Sequence, residues 1–315
     1  MATYVVTGGG GFIGSNLVEV LLARGQRVRV LDDFSTGRRE NLAEAPAWAN
    51  RGGGAFELLE GDIRDADTCR RAVEGADYVL HQAAMPSVQR SVKDPVSSNA
   101  VNVAGTLNVL VASRDAKVKR VVFASSSSLY GESETLPKVE TMPSAPISPY
   151  GLQKLAGETY CGLFWRLYGL PTVALRYFNV FGQRQDPGSE YSAVIPKFIR
   201  AIKAGKTPTI FGDGEQTRDF SFIENVVGAN LAACEAGEGA FGLAFNIACG
   251  ERISLNDLVR QLGEFAGRDV SPAYAPARPG DIRHSLAGIE RAERLLGYRP
   301  SVDVREGLRR TWAAY

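Results

Sequence analysis

Two residues four apart, Tyr150 and Lys154, and a run of four serines, Ser125–Ser128, are the groups in this chain best suited to taking a proton from an alcohol. A spacing of four puts both side chains of the pair on one helix face. Ser148-Pro149 marks where that helix begins. A tyrosine needs help to act as a base, because its pKa of ~10 makes ionisation at pH 7 cost about 4 kcal/mol. A lysine ammonium lowers that cost, and so does the positive ring of an oxidised nicotinamide. A nearby serine hydroxyl can hold the reacting oxygen and relay its proton. Standing alone, a Tyr-x-x-x-Lys pair reads as helix packing. A second feature, near the N-terminus, raises it above that.

That feature is MATYVVTGGGGFIG. Thr3–Thr7 is rich in β-branched and aromatic residues and reads as a buried strand. Gly8–Gly11 follow at once, then Phe12, Ile13 and Gly14, then an apolar-periodic helix over Asn16–Ala23. Strand, glycine turn and helix make a phosphate site: the backbone can approach a pyrophosphate, and the first N–H groups of the helix point at it. Gly8, Gly11 and Gly14 fit one spacing of the dinucleotide fingerprint, and Gly9, Gly11 and Gly14 fit another. The next strand, Arg27–Leu31, ends in Asp32-Asp33. Asp32 falls about twenty residues past the glycines, where a carboxylate binds both hydroxyls of an adenosine ribose and repels a 2′-phosphate. NAD is therefore expected rather than NADP, and Arg38 and Arg39 close by read as a solvated loop.

These groups need a sheet to hold them. Ala55–Leu59 reads as a third strand, followed by Gly61-Asp62-Ile63-Arg64. Asp62 can hold an adenine amino group or cap a helix over Ala66–Val73. Tyr78–Gln82 reads as a fourth strand, ending in His81-Gln82-Ala83-Ala84, where small residues leave room for a cofactor and His81 reads as packed. Asp94-Pro95 starts a helix through about Ser113, with Val96, Val103, Leu107 and Leu110 as its core face. Lys119–Ala124 and Thr172–Arg176 give two more strands. This rhythm predicts an α/β fold: a Rossmann-type doubly wound parallel sheet in the order 3-2-1-4-5-6, with the cofactor at the strand C-termini.

After Asn179 the pattern changes. Gly182–Ser192 is polar, and Ala193–Ala204 is a short helix. Thr207–Phe211, Asp219–Phe222 and Ala244–Ile247 read as short strands, and Glu224–Ala236, Leu255–Phe265 and Arg291–Leu296 as helices. The expected division is a cofactor domain of residues 1–178 plus 223–249, the last stretch returning to the large sheet. A smaller α/β substrate lobe takes residues 179–222 plus 250–315.

Composition sets the class. The 315 residues are 44% hydrophobic and 23% charged, as in an ordinary soluble globular protein. A net charge of +1 gives no reason to expect nucleic acid or an anionic membrane as partner. No apolar run approaches a membrane span, and the start of the chain does not read as a signal peptide. Cys69, Cys161, Cys234 and Cys249 are far apart, and His81 and His284 are the only histidines. That is neither a zinc set nor a disulfide framework; no metal is expected, and a reducing cytoplasm is.

Taken together, the chain resembles the extended short-chain dehydrogenase/reductase superfamily. Within it, it is similar to the nucleotide-sugar 4-epimerases that act on UDP-glucose, UDP-galactose and UDP-N-acetylglucosamine. The likeness runs through TGGGGFIG, DDFSTG, GDIRD, HQAA, SSSSLYG, SPYGLQK, RYFNVFGQRQDP and RPGDIRHS, nearly the whole length. Carried over by position, Ser126 would be the catalytic serine, Tyr150 the base and Lys154 the lysine on the nicotinamide ribose. The resemblance implies that NAD is held by Gly8, Gly11, Phe12, Ile13, Gly14, Asp32, Asp33, Ser35, Thr36, Gly37, Asp62, Ile63, Gln82, Ala83, Ala84, Asn99, Tyr150, Lys154 and Tyr177. Asn179 would bind the sugar diphosphate, and Arg218 and Arg278 would clamp the two phosphates, a task that suits the planar fork of arginine. Asp281 would touch the uridine ribose. The segment 191–198, from Tyr191 through Val194 to Phe198, would wrap the uracil.

Dehydratases and decarboxylases of the superfamily carry Asp or Glu beside the serine motif, because elimination needs that extra acid and base. Ser127 and Ser128 stand there, so net elimination is not expected. The implied reaction is transient oxidation at C4. Tyr150, assisted by Ser126, takes the proton of the 4-hydroxyl; the 4-keto sugar turns over about its diphosphate link, and hydride returns to the other face with no net redox change. Ser285 lies where bulky residues restrict some members to plain hexoses, so an N-acetyl group at C2 is expected to fit. Two rivals are another NAD-dependent nucleotide-sugar epimerase or reductase on the same scaffold, and a non-catalytic dinucleotide sensor, which would be expected to have lost Tyr150 or Lys154. The family usually forms homodimers, and the helices around 95–113 and 150–168 are the candidates for that interface.

Overall fold

The computed structural model describes residues 1–186, 194–277 and 283–315. In chain order the first half runs β1 (Thr3–Thr7), α1 (Phe12–Ala23), β2 (Arg27–Asp32), α2 (Ala45–Gly52), β3 (Ala55–Glu60), α3 (Ala66–Val73), β4 (Tyr78–His81), α4 (Val88–Lys93), α5 (Pro95–Asn99), α6 (Thr106–Asp115), β5 (Arg120–Ser126), α7 (Pro149–Tyr168) and β6 (Thr172–Tyr177). The second half runs β7 (Val180–Phe181), α8 (Val194–Lys203), β8 (Thr209–Phe211), β9 (Thr217–Arg218), β10 (Ser221–Phe222), α9 (Ile223–Glu235), β11 (Leu243–Ile247), β12 (Ile253–Ser254), α10 (Leu255–Phe265), β13 (Ala273–Ala275), α11 (Glu290–Leu296) and α12 (Val304–Ala314).

Seven strands form one parallel sheet in the order β11-β6-β5-β4-β1-β2-β3. The predicted order of the first six strands holds, and β11 adds itself beside β6, so the 224–249 stretch does return to the sheet. The inner strands are buried on both faces, as is usual in a parallel sheet, while the edge strand β3 is partly exposed. Successive residues alternate between two cores: Val6, Leu80, Val122 and Val173 point to one face, Val5, Val79, Val121 and Ala174 to the other. The strand order reverses between β1 and β4, whose parallel register pairs Thr7 with His81. Their C-terminal ends form the crevice where such sheets bind ligands.

Three expectations change. The helix expected from Asp94 to Ser113 is two α-helices joined by a π-helical stretch, Ala100–Gly105. A π turn adds a residue per turn and breaks the phase of an apolar stripe. Leu110 is buried, Val103 and Leu107 are half-buried, and Val96 is 78% exposed rather than part of the core. The cap of α3 is Asp65, whose side chain accepts from the Asp67 N–H, not Asp62. Three helices go beyond the expectations: α2, which buries Trp48 and Ala49, the short α4, and the closing α12. Gly52 belongs to the last turn of α2, with Gly53 at φ +70° as its cap. Among the described residues no helix is long and apolar enough to cross a membrane.

Candidate active site

The glycine turn after β1 is built by close approach. Gly8 has φ +71°, and a Cβ there would lie 2.7 Å from the Ala83 nitrogen, on the loop that follows β4. A Cβ at Gly14 would collide with the Gly8 carbonyl. Only glycine fits either place, and α1 starts immediately beyond, with Phe12 and Ile13 in its first turn. This cradle fits a dinucleotide: bare backbone at a helix N-terminus, filled by any added side chain.

Asp32 closes the turn from the end of β2. Its Oδ2 accepts from the Gly10 N–H and its Oδ1 from the Phe34 N–H, each at 2.8 Å. One bond per oxygen leaves each with accepting capacity for a ribose hydroxyl. Burial pushes the Asp32 carboxyl upward, and the two N–H donors pull it back. Gly37 packs against that carboxylate, where a Cβ would come within 3.0 Å of both oxygens. Asp33, Ser35 and Thr36 are exposed, and the Ser35 hydroxyl is bonded to Asp33. Arg38 pairs with Asp186 and Arg39 with Glu60.

The remaining cofactor candidates line the next strand ends. Asp62 accepts from the Arg64 backbone and guanidinium; burial opposes its ionisation, but Arg64 holds its carboxyl below the usual range. The Ile63 carbonyl accepts from Asn108, which fixes that loop to α6. Gln82 donates to Asn230 of α9 at 3.0 Å, and the Tyr177 hydroxyl joins the same cluster. Ala83 donates its N–H to Thr7 at 3.2 Å, and Ala84 follows on the same half-buried loop. Asn99 is exposed. It is Asn102, inside the π stretch, whose side chain grips the Met85 backbone at 2.7 Å and Gln153 of α7 at 2.8 Å. His81 is packed as expected: it bonds Thr7 at 2.6 Å and Thr106 at 3.0 Å, and burial drives its pKa down to about 3.

The serine run and the Tyr-Lys helix meet. Ser126 ends β5, and Ser127–Tyr130 forms a single 3-10 turn. Helix α7 starts at Ser148, whose side chain accepts from the Gly151 N–H. Two glycines let α7 come close: a Cβ at Gly151 would lie 2.8 Å from the Ser128 carbonyl, and one at Gly157 would lie 2.5 Å from the Phe123 ring. The result is that the Ser126 side chain comes near the Tyr150 phenol and favours its ionised form. The Lys154 ammonium, buried, donates to the Ala124 carbonyl at 2.7 Å and stands 5.8 Å from the Tyr150 ring centre. Burial pushes the Tyr150 phenol up to about 12, against the pull of Ser126, and pushes Lys154 down to about 8.

Across the crevice lies a cavity of about 400 Å³. Asn179, Val194, Phe198 and Arg218 all line it, with Gln89, Phe220 and Leu255. Asn179 takes φ +34° and donates to the Asp219 carbonyl at 2.9 Å. The Arg218 guanidinium donates to the Thr217 and Arg283 carbonyls. Ser285 is half-buried and donates its N–H to Thr217, beside Arg218. Arg278, Asp281 and Tyr191 lie outside the described residues. Asp219 was not read from the sequence. Its fully buried carboxylate accepts from the N–H groups of Cys249, Gly250 and Ala287 and its backbone carbonyl from Asn179, so this residue ties together the segments that carry Asn179, Arg218 and Ser285. Its place between Arg218 and Phe220 was the available signal.

The model of the NAD dependent epimerase/dehydratase family matches residues 4–248. A UDP-glucose 4-epimerase of Mycolicibacterium smegmatis is 41% identical over 98% of this chain and 96% of its own length. The solved UDP-N-acetylglucosamine 4-epimerase of Methanobrevibacter ruminantium, in complex with UDP-N-acetylmuramic acid, superposes with a TM-score of 0.92 at 39% identity, covering 99% of this chain and 97% of that one. The Thermus thermophilus UDP-glucose 4-epimerase in complex with NAD gives a TM-score of 0.84 at 37% identity, covering 99% and 98%.

Proposed function

The chain belongs to the NAD dependent epimerase/dehydratase family, and from that premise we propose that it inverts C4 of UDP-hexoses, both UDP-glucose/UDP-galactose and the N-acetylated pair. The observation that carries this reading is the meeting of Ser126, Tyr150 and Lys154 at the end of β5, beside the glycine cradle. The relatives named above support it: they act on plain and on N-acetylated UDP-sugars.

Gly8, Gly11 and Gly14 would hold the pyrophosphate of NAD, and Asp32 the adenosine ribose. Bound NAD supplies a hydride acceptor at C4 that can also return the hydride. The chain's own groups do the rest. Tyr150 takes the proton of the 4-hydroxyl and gives one back. Ser126 holds the reacting oxygen within reach of the phenol. Lys154, fixed by the Ala124 carbonyl, supplies the positive charge that favours the phenolate. Ser127 and Ser128 bring no carboxylate to the sugar, which supports epimerisation over elimination.

Arg218 and Asn179 would grip the diphosphate, and Val194 and Phe198 would wall the uracil. Firm contacts on UDP with few on the hexose let the keto sugar turn over. All four cysteines are free thiols, which suits a reducing cytoplasm. We assign residues 1–178 plus 223–249 to the cofactor lobe and the remainder to the substrate lobe, as the sequence reading has it.

The deciding experiment gives purified protein UDP-galactose in one tube and UDP-N-acetylgalactosamine in another, and follows C4 configuration by NMR. Conversion in both, without net NADH, is the expected result. No conversion in either, with NAD supplied, would move the reaction to another sugar or another carbon.

A further inference from the structure

We propose that Glu158 and Arg176 are positioning residues for the proton step: buried between α7 and the sheet, the pair anchors the helix that carries Tyr150 and Lys154 to the strand end and turn that carry Ser126. The inference deepens the reading of Tyr150 as base and rests on it.

Arg176 on β6 stands between Ser125 of β5 and Asn246 of β11 in the register of the sheet. All three are in phase with Phe123, Ala174 and Ala244, so they lie on the α7 side. Glu158 of α7 meets this row fork to fork. Arg176 Nε donates to one carboxylate oxygen at 3.0 Å and Nη2 to the other at 2.5 Å. The Ser125 hydroxyl donates to the same carboxylate at 2.9 Å. The third guanidinium nitrogen, Nη1, donates to the Tyr130 hydroxyl at 2.7 Å, which in turn donates to Asn246 at 2.7 Å. The Asn246 amide is fixed from behind by the Lys138 and Gly288 carbonyls.

One buried cation therefore holds both halves of the site. Through Glu158 it holds α7, and through Tyr130 it holds the last residue of the 3-10 turn that follows Ser126. Glu158 lies eight residues past Tyr150, about 12 Å along the helix axis, too far to touch the reacting atoms, so it acts through the helix. Lys154, midway, makes a second anchor on the Ala124 carbonyl. Neighbouring residues of β5 thus fix successive turns of α7.

An apolar pair could fill the same space with similar stability. It would have no direction. The bidentate pair admits one geometry, and that sets the rotation and the axial place of the helix. Placement matters for the base, because a shift of about 1 Å can cost on the order of 100-fold in rate.

The test shortens the arm and keeps the charge. In Glu158→Asp the field at Tyr150 changes only if the helix moves. The NAD-loaded protein is assayed for kcat and KM with UDP-galactose, with and without Tyr150→Phe. Expected is a loss of about 10–100-fold in kcat where Tyr150 is present and less than about 3-fold where it is absent, with KM and bound NAD unchanged. The Tyr150 midpoint is followed with 13Cζ-labelled tyrosine, and Tyr150→Phe identifies its resonance. It should rise by about 0.5–1 pH unit as the phenol is drawn off the cofactor's positive ring. Tyr130→Phe leaves the ion pair intact and frees the turn. It should lower kcat about 3–10-fold in the same Tyr150-dependent way, and it carries the test if Glu158→Asp does not fold. An equal loss with and without Tyr150 overturns the proposal, because a merely structural defect lowers both alike. So does an unmoved midpoint, or a rise in KM alone. If the wild type converts neither sugar but the midpoint still moves in Glu158→Asp, the anchor stands and the assigned reaction falls.

Discussion

Burial acts on Tyr150 and Lys154 in opposite directions, and both directions oppose the charged pair. Burial holds the phenol up at about 12 even against the pull of Ser126, so at neutral pH the phenolate depends on the positive charges set beside it, the Lys154 ammonium and the ring of bound NAD. The lowered lysine has a second consequence. Turnover should decline above about pH 8 as Lys154 loses its proton, and Lys154→Arg, which stays charged, should lose that alkaline limb while keeping part of the activity. A rate that stays flat to pH 10 in the wild type would refute this. Ser285 makes a prediction of its own. Ser285→Tyr should abolish conversion of UDP-N-acetylgalactosamine and spare UDP-galactose, and equal loss of both would sink the open-pocket argument. Tyr150 and Lys154 were legible because their spacing is local, four positions apart, and Ser126 because it stands four positions before Tyr130 in the serine run. Asp219 was not, because its bonds reach backbone groups 30, 31 and 68 residues away.

At the level of elements, the strands and most helices could be read from period and punctuation. The π stretch breaks the 3.6 period, so Val96 is left exposed and Asn102 comes to grip the backbone of the loop after β4. The same stretch leads into Thr106, which holds His81 at the end of β4. His81 is neutral in the folded chain, with its pKa at about 3, while an unfolded chain binds that proton near pH 6.5. The unfolded state therefore gains protons first as pH falls. Stability present above about pH 6.5 should be lost from there downward, at about 1.4 kcal/mol per pH unit. Urea midpoints at pH 7 and pH 5 should differ accordingly, and His81→Gln should flatten the difference. An equal slope in that variant would assign the loss to other groups.

On the scale of the molecule, one surface stands apart. Val92 on α4, Val96 on α5, and Leu152, Leu167 and Tyr168 on α7 are large apolar side chains more than half exposed. We propose this face as the seat of a homodimer, in line with the helices the sequence singled out. Light scattering should give twice the mass of one chain, Val96→Glu with Leu152→Glu should halve it, and a monomeric wild type would refute the assignment. The sheet itself carries a further consequence, for how the protein is made. Strand β6 is buried along its whole length, yet its outer neighbour β11 ends 70 residues later (247 − 177). At ~5–20 residues per second on the ribosome, that edge stays bare for roughly 4–14 s during synthesis. An unpaired apolar edge invites aggregation, so a fragment ending at residue 178 should aggregate at lower concentration than one ending at 249. In the cell, the interval before β11 emerges is when a nascent chain of this kind would most need a chaperone.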